Sequence, residues 1–242
     1  MQNHPVCLIV GAGYGLGAGL AEVFGQAGYT VVMARRDGQA AQQWIDGRPD
    51  LAGRVLAKSV DATDPVQVQA LFDAVEREVG AIDVVIFNVG YNVRAGVLET
   101  EPKLFERLWR LGTYAGFLVG REAARVMQPR GKGTVIFTGA TASIRGGNQF
   151  GAFAAAKNGL RAFAQSMARE FGPQGLHVAH TVIDGGIDSE RIRTQQPDRV
   201  AKAGEDGLLN PTSIAQAYLA LHQQSRDAWT FELDLRPWAE RW

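Results

Sequence analysis

Five glycines, at 11, 13, 15, 17 and 19, follow an apolar run and lead into a helical pattern. In Gly11-Ala-Gly-Tyr-Gly-Leu-Gly17 they let the chain turn tightly, and free backbone N–H groups at a helix start can then meet a pyrophosphate. The spacing is Gly11-x-x-x-Gly15-x-Gly17. The alternative G-x-G-x-x-G would need glycine where Leu16 stands, and survives only as Gly13-x-Gly15-x-x-Ala18. With a strand before and a helix after, the chemistry is dinucleotide binding. A second pair bears on which dinucleotide. An acid ending the next strand would accept the adenosine ribose hydroxyls. That place falls near Ala34, followed by Arg35 and Arg36, whose guanidinium groups suit a 2′-phosphate. NADP(H) is therefore favoured over NAD(H). Asp37 comes too late for the acid's place and is expected to cap a helix.

Positioning such a loop requires an alternating architecture, and the chain has that pattern. Val6–Val10, Thr30–Ala34, Val55–Val60, Val84–Phe87, Thr134–Thr138, Val178–Ile183 and Trp229–Leu235 are expected strands. Most are near-continuously apolar, as strands covered on both faces must be. Helices are expected over Gly15–Gly28, Asp37–Ile45, Pro65–Val79, Lys103–Met127, Gly151–Phe171 and Pro211–Gln224, with Asp64 and Asn210 as caps before first-turn prolines. This order implies a doubly wound parallel sheet, α/β in class and Rossmann-type, in a single domain over 1–242. Pro49–Gly53 is expected to be a surface turn. Residues 185–210 have no evident element and are expected to form a substrate loop over the strand ends.

Composition narrows the function classes. Hydrophobic residues are 46% of the 242, and 25 basic residues balance 25 acidic ones without a like-charge block. Nucleic acid and anionic membrane are thereby disfavoured as main partners. The lone Cys7 lies in an apolar run, which excludes a disulfide within the chain and a cysteine metal site and suggests a small buried hydrophobe. No signal-peptide pattern opens the sequence and no apolar run approaches the ~20 residues of a membrane span. A cytoplasmic protein with no bound metal is the expectation.

Together with Asp61 after strand three, Asn88-Val-Gly90 after strand four and Lys157 on a long helix, the glycine loop resembles that of the short-chain dehydrogenase/reductase family. The resemblance spans nearly the whole chain. It implies that Gly11, Gly15 and Gly17 bind pyrophosphate, Asp61 contacts adenine, and Asn88 and Gly90 line the cofactor site. Leu16, Ala62 and Ile187 join the implied cofactor contacts, and Lys157 would hold the nicotinamide ribose. It also implies a homo-oligomer, dimer or tetramer, pairing through the Lys157 helix and the one before it.

The same resemblance exposes a departure. The family pairs Tyr-x-x-x-Lys with a serine about thirteen residues earlier and an asparagine on the preceding helix. Here the tyrosine place holds Phe153, the serine place Ala140 and the asparagine place Gly112. In divergent enoyl reductases the phenol lies seven residues before the lysine, where this chain has Phe150. The Pro-Gly pair usual after strand six is Asp184-Gly185. Loss of a general acid typically costs ~10²–10⁴ in rate, or about 3–5 kcal/mol of barrier. Substitutes within reach are Tyr91 and Ser143, with Asp184, Thr141, Tyr114 and His180 as further candidates. Arg161 and Arg169 are expected to serve packing and the solvent face. The aromatic C-terminus, Trp229, Phe231, Trp238 and Trp242, is expected to cover the core or a dimer contact.

Three functions follow. The first is an NADP(H)-dependent oxidoreductase acting on a small carbonyl or alcohol with an atypical site. The second is a nucleotide-binding sensor or scaffold without catalysis. The third is a reductase of an activated C=C bond, where solvent can protonate the enolate.

Overall fold

A computed structural model describes residues 4–240 of the chain. Trp242 and the first three residues lie outside that range. Seven parallel strands form one sheet in the order β3-β2-β1-β4-β5-β6-β7. They are β1 (Val6–Val10), β2 (Thr30–Arg35), β3 (Val55–Ser59), β4 (Ile82–Phe87), β5 (Gly133–Thr138), β6 (Leu176–Ile183) and β7 (Glu232–Leu235). Central β1 is buried throughout, and its alternate residues go to opposite faces. Val6, Leu8 and Val10 join Phe72, Leu118 and Leu160; Cys7 and Ile9 join Leu20, Phe24 and Tyr218. Cys7 is the small buried hydrophobe the sequence suggests, and burial pushes its thiol pKa well up.

One face carries α3 (Pro65–Glu78), α5 (Ala115–Met127) and α6 (Gly151–Phe171); the other carries α1 (Leu16–Gln26), α2 (Gly38–Asp46) and α9 (Pro211–His222). This is the expected doubly wound sheet. The expected caps form, because a short polar side chain reaches free N–H groups of the first turn. Asp37 accepts from Ala40 N, Asp64 from Val66 N and Gln67 N, and Asn210 from Thr212 N.

Three elements differ from expectation. The single helix over Lys103–Met127 is broken: α4 (Pro102–Trp109) passes through a π-helical turn, Arg110–Tyr114, before α5. The chain stays helical through the turn and no proline marks it, so the sequence reads as one helix. The expected loop 185–210 contains α7 (Glu190–Gln195) and α8 (Pro197–Ala203), the first capped by Ser189 Oγ accepting from Ile192 N at 3.4 Å. Trp229 does not begin β7. Its ring stacks on His177 at 4.9 Å, its indole donates to Gln224 O, and pairing with β6 starts at Glu232. Trp238 is 81% exposed and so does not cover the core.

Candidate active site

The carboxyl ends of β1 and β4 lie side by side, and the connections leaving them diverge to opposite faces. That crevice is where α/β sheets bind ligands. At its floor Gly11 has φ +94°, and a Cβ there would stand 2.6 Å from the carbonyl carbon of Asn88. Asn88 Nδ2 donates to Gly11 O at 3.1 Å and ties the two strand ends together. Gly17 meets Ala12 Cα at 2.6 Å in the same sense, drawing the start of α1 against the loop. Gly15 precedes Leu16, the buried first residue of α1. Gly11 and Gly17 thus let the two strand ends and the start of α1 close on one another, the tight turn that a pyrophosphate loop at a helix start needs.

A cavity of about 550 Å³ opens from this loop, lined by Gly11, Gly13, Arg35, Arg36, Asp61, Ala62, Asn88 and Gly90 among others. Asp61 Oδ1 accepts from Thr63 N and Thr63 Oγ1, which fixes the carboxylate at the end of β3. Arg35 stacks over Tyr14 at 4.9 Å, and its Nη1 is buried without a hydrogen-bond partner. Among the described residues neither Arg35 nor Arg36 has a carboxylate in ion-pair range.

A second cavity of about 530 Å³ shares Asn88, Val89 and Gly90 with the first and continues over β5 and β6. Lys157 lines it. Its Nζ donates to Thr138 O at 2.8 Å and Val89 O at 3.4 Å, and burial pushes its pKa down to about 8. One turn earlier on α6, half-buried Phe153 lines the same cavity, with Phe150, Tyr91, Ala140, Thr141, Asp184 and Ile187.

The candidate acids are not placed alike. Tyr91 is at the cavity, 40% exposed, with its ring against the Arg107 guanidinium at 5.3 Å. Ser143, expected to face the site, does not line the cavity. It is fully buried in the turn after β5, where its Oγ accepts from Ala140 N at 3.1 Å. Of the two hydroxyls in that turn it is Thr141 that lines the cavity, and it donates to Asp184 Oδ1. Asp184 is buried, and Arg145 Nη2 lies 3.6 Å from its other oxygen. Tyr114 is a packed ring, stacked between Trp109 and Phe117. Gly112, in the π turn, is buried against Ala156, which a Cβ would approach to 2.9 Å; no larger side chain fits there.

A family model described as short chain dehydrogenase matches residues 5–200. The chain belongs to that family. It is 32% identical over 218 residues to the 2-dehydro-3-deoxy-D-gluconate 5-dehydrogenase of Formosa agariphila, covering 87% of this chain and 79% of that protein. It is 31% identical over 232 residues to (+)-borneol dehydrogenase 1 of Salvia officinalis, covering 89% and 85%. A crystal structure of a short-chain dehydrogenase from Rhodopseudomonas palustris superposes with a TM-score of 0.83 at 40% identity, covering 98% of this chain and all of that one. Its relatives are named dehydrogenases and reductases, and this short-chain dehydrogenase is an oxidoreductase.

Sequence reasoning missed how the residues behind Lys157 are joined, and His180, one of its candidate acids, does not line the cavity. Neutral His180 on β6 is wholly buried and donates from Nδ1 to Glu232 on β7 at 3.0 Å. Arg161 of α6 grips the same carboxylate through Nε and Nη2 at 2.6 and 2.8 Å. The pairing joins residues 52 and 71 positions apart, so no local spacing announces it. Arg161 is therefore not a plain solvent-face residue, whereas Arg169 only donates to Gln165 O on its own helix. No group of three or more His, Cys, Asp or Glu among the described residues could hold a metal, and no described helix is long and apolar enough to cross a membrane.

Proposed function

We propose that this short-chain dehydrogenase binds NADP(H) and reduces a small carbonyl compound, or runs the reverse oxidation, with Phe153 standing where its relatives hold a phenol. The observation carrying this reading is the continuity of the two cavities through Asn88–Gly90, with Lys157 at the junction. The bound nicotinamide supplies or accepts the hydride. Gly11, Gly15, Gly17 and Leu16 hold the pyrophosphate, and Asp61 and Ala62 border the adenine. Arg35, with its unpartnered buried Nη1, and Arg36, neither with a carboxylate in ion-pair range, take the 2′-phosphate. Asn88, Gly90, Lys157 and Ile187 border the nicotinamide end, and Lys157 has a third N–H free for a ribose hydroxyl.

A carbonyl that gains hydride at carbon must gain one proton at oxygen. Neither Phe153 nor Ala140 supplies it. Thr141 and Asp184 form a hydrogen-bonded pair on the cavity wall, and we assign them the relay of a solvent proton to that oxygen. They take precedence over Tyr91, whose ring is engaged with Arg107, and over Ser143, which is sealed in its turn. NADPH oxidation against a carbonyl panel tests the reading. Thr141→Val and Asp184→Asn should each lower kcat by ~10²–10⁴ with NADPH affinity kept, whereas Tyr91→Phe should lose less than about tenfold. Tight NADPH binding with no turnover would sink the catalytic reading in favour of a nucleotide sensor. Saturation of an enone without alcohol formation would replace it with C=C reduction. The protein is further taken to self-associate through α5 and α6, where Phe117 is exposed; sedimentation that finds only monomer refutes this.

A further inference from the structure

The second cavity has a charged roof that the hydride reaction does not use. Residues 188–209 leave and return at one point: Ile187 bridges Leu209, Asp188 N donates to Leu209 O, and Leu209 N donates to Gly186 O. The excursion so pinned carries α7 and α8, and from them Arg191 and Arg199 line the cavity. Gly186 leaves room for Arg199, since a Cβ there would stand 3.1 Å from its Nη2. Across from them Arg145 leans toward Asp184.

These cations are not neutralised alike. Arg193, on the same helix as Arg191, is paired with Asp188 by two bonds of 2.6 Å and does not line the cavity. Arg191 and Arg199 bond only to neutral amides, Gln195 and Gln196. Among the described residues neither has a carboxylate partner. The carboxylates on the cavity wall are Asp184, already engaged by Thr141 and Arg145, and Glu240. Two guanidinium groups without an ion-pair partner, in a cavity where Arg145 and the Lys157 ammonium outnumber the carboxylates with them, make a site for an anion.

We infer that the substrate is an anionic carbonyl compound, a carboxylate or phosphate ester, whose charged end is gripped by Arg191 and Arg199 while its carbonyl lies at Thr141 and Lys157. This rests on the oxidoreductase reading and names the substrate class of that same site. Guanidinium is suited to both head groups because its fork donates two parallel hydrogen bonds. The two arginines ride on short helices above the strand ends, so charge selection is separated from the machinery on β5, β6 and α6.

The test uses matched pairs differing by one charge: dihydroxyacetone phosphate against dihydroxyacetone, and a series of oxo acids against their methyl esters. NADPH-dependent reduction is followed in the wild type and in Arg191→Ala/Arg199→Ala. The charged member of one pair should be preferred in kcat/KM, and the double variant should erode that preference about 10–100-fold, the worth of a charge-assisted contact. The pair that responds separates phosphate from carboxylate. Equal use of charged and neutral members, or a preference untouched in the variant, overturns the inference. Calorimetry of D-gluconate, D-glucitol and inorganic phosphate on the intact protein, with and without NADP+, decides the matter if nothing is reduced. An anion that binds the wild type and not the variant upholds the inference, and the failure then belongs to the oxidoreductase reading. Equal binding to both proteins, or none to either, overturns the inference. A melting temperature within a degree or so of wild type confirms that the exposed substitutions leave the fold intact.

Discussion

Lys157 shows how a single ammonium can be kept buried at a cavity wall at a cost to stability. The residue is 5% exposed, and its ammonium has two backbone carbonyls for partners but no carboxylate. Burial alone pushes its pKa down to about 8. The consequence for rate is an alkaline limb: reduction should fall as pH rises through about 8 and the ammonium deprotonates, and Lys157→Met should remove that limb with most of the activity. The consequence for stability has the opposite sense. Between about 8 and the ordinary lysine range near 10.4 the unfolded chain binds the proton and the folded one does not, so stability rises with pH across that window. Below it the folded protein carries a penalty of up to about 3 kcal/mol. Lys157→Met should therefore melt no lower than wild type at neutral pH, and should lack the rise between pH 8 and 10. A neutral-pH Tm several degrees below wild type would show that the ammonium's bonds outweigh its desolvation.

At the scale of elements, β6, β7 and α6 are joined behind the site by His180, Glu232 and Arg161. Burial pushes His180 down to about 4, against the raising influence of Glu232, while Lys157 and Arg161 add to the lowering. The imidazole is thus neutral, a donor through Nδ1 with Nε2 left unpartnered. As pH falls from about 6.5 the unfolded chain takes up a proton that folded His180 refuses, so stability drops steadily toward pH 4. Glu232, held low first by Arg161, adds its own loss as pH falls through its lowered value, and buried His177 and half-buried His222, both pushed down by burial, act as His180 does. His180→Gln keeps a donor for Glu232 and cannot titrate; its Tm should decline less steeply than wild type from pH 6.5 to 4. Parallel curves would place the acid sensitivity elsewhere. Such joins were invisible in the sequence because they are made across strands by residues with no shared period. What was legible had a local cause: the glycine cradle, the capped prolines of α3 and α9, and strands apolar along their whole length. The π turn at Arg110–Tyr114 was not legible, since Gly112 there answers to Ala156 on another helix. Nor were α7 and α8, each too short to show a helical period.

For the whole molecule, the sheet order brings residues from four distant segments to one crevice: Gly11 after β1, Arg36 after β2, Asp61 after β3 and Asn88 after β4. A ligand spanning that crevice bridges both halves of the sheet, and by mass action it stabilises the folded state in proportion to how far its concentration exceeds its Kd. Thermal melting is therefore a direct reading of which pyridine nucleotide the crevice prefers. At a concentration ~100-fold above Kd the gain is about 2.7 kcal/mol, enough to move Tm by several degrees. If Arg35 and Arg36, neither with a carboxylate in ion-pair range, take a 2′-phosphate as proposed, NADP+ should raise Tm well above what an equal concentration of NAD+ achieves. In Arg35→Ala/Arg36→Ala the NADP+ shift should collapse toward that of NAD+, with about a 10–100-fold loss of NADP+ affinity and little change for NAD+. Arg35 also stacks on Tyr14, so an Arg36→Ala single variant separates loss of charge from loosening of the glycine loop. If NAD+ proves the stronger stabiliser of the wild type, the arginine pair is a surface feature and the 2′-phosphate assignment falls.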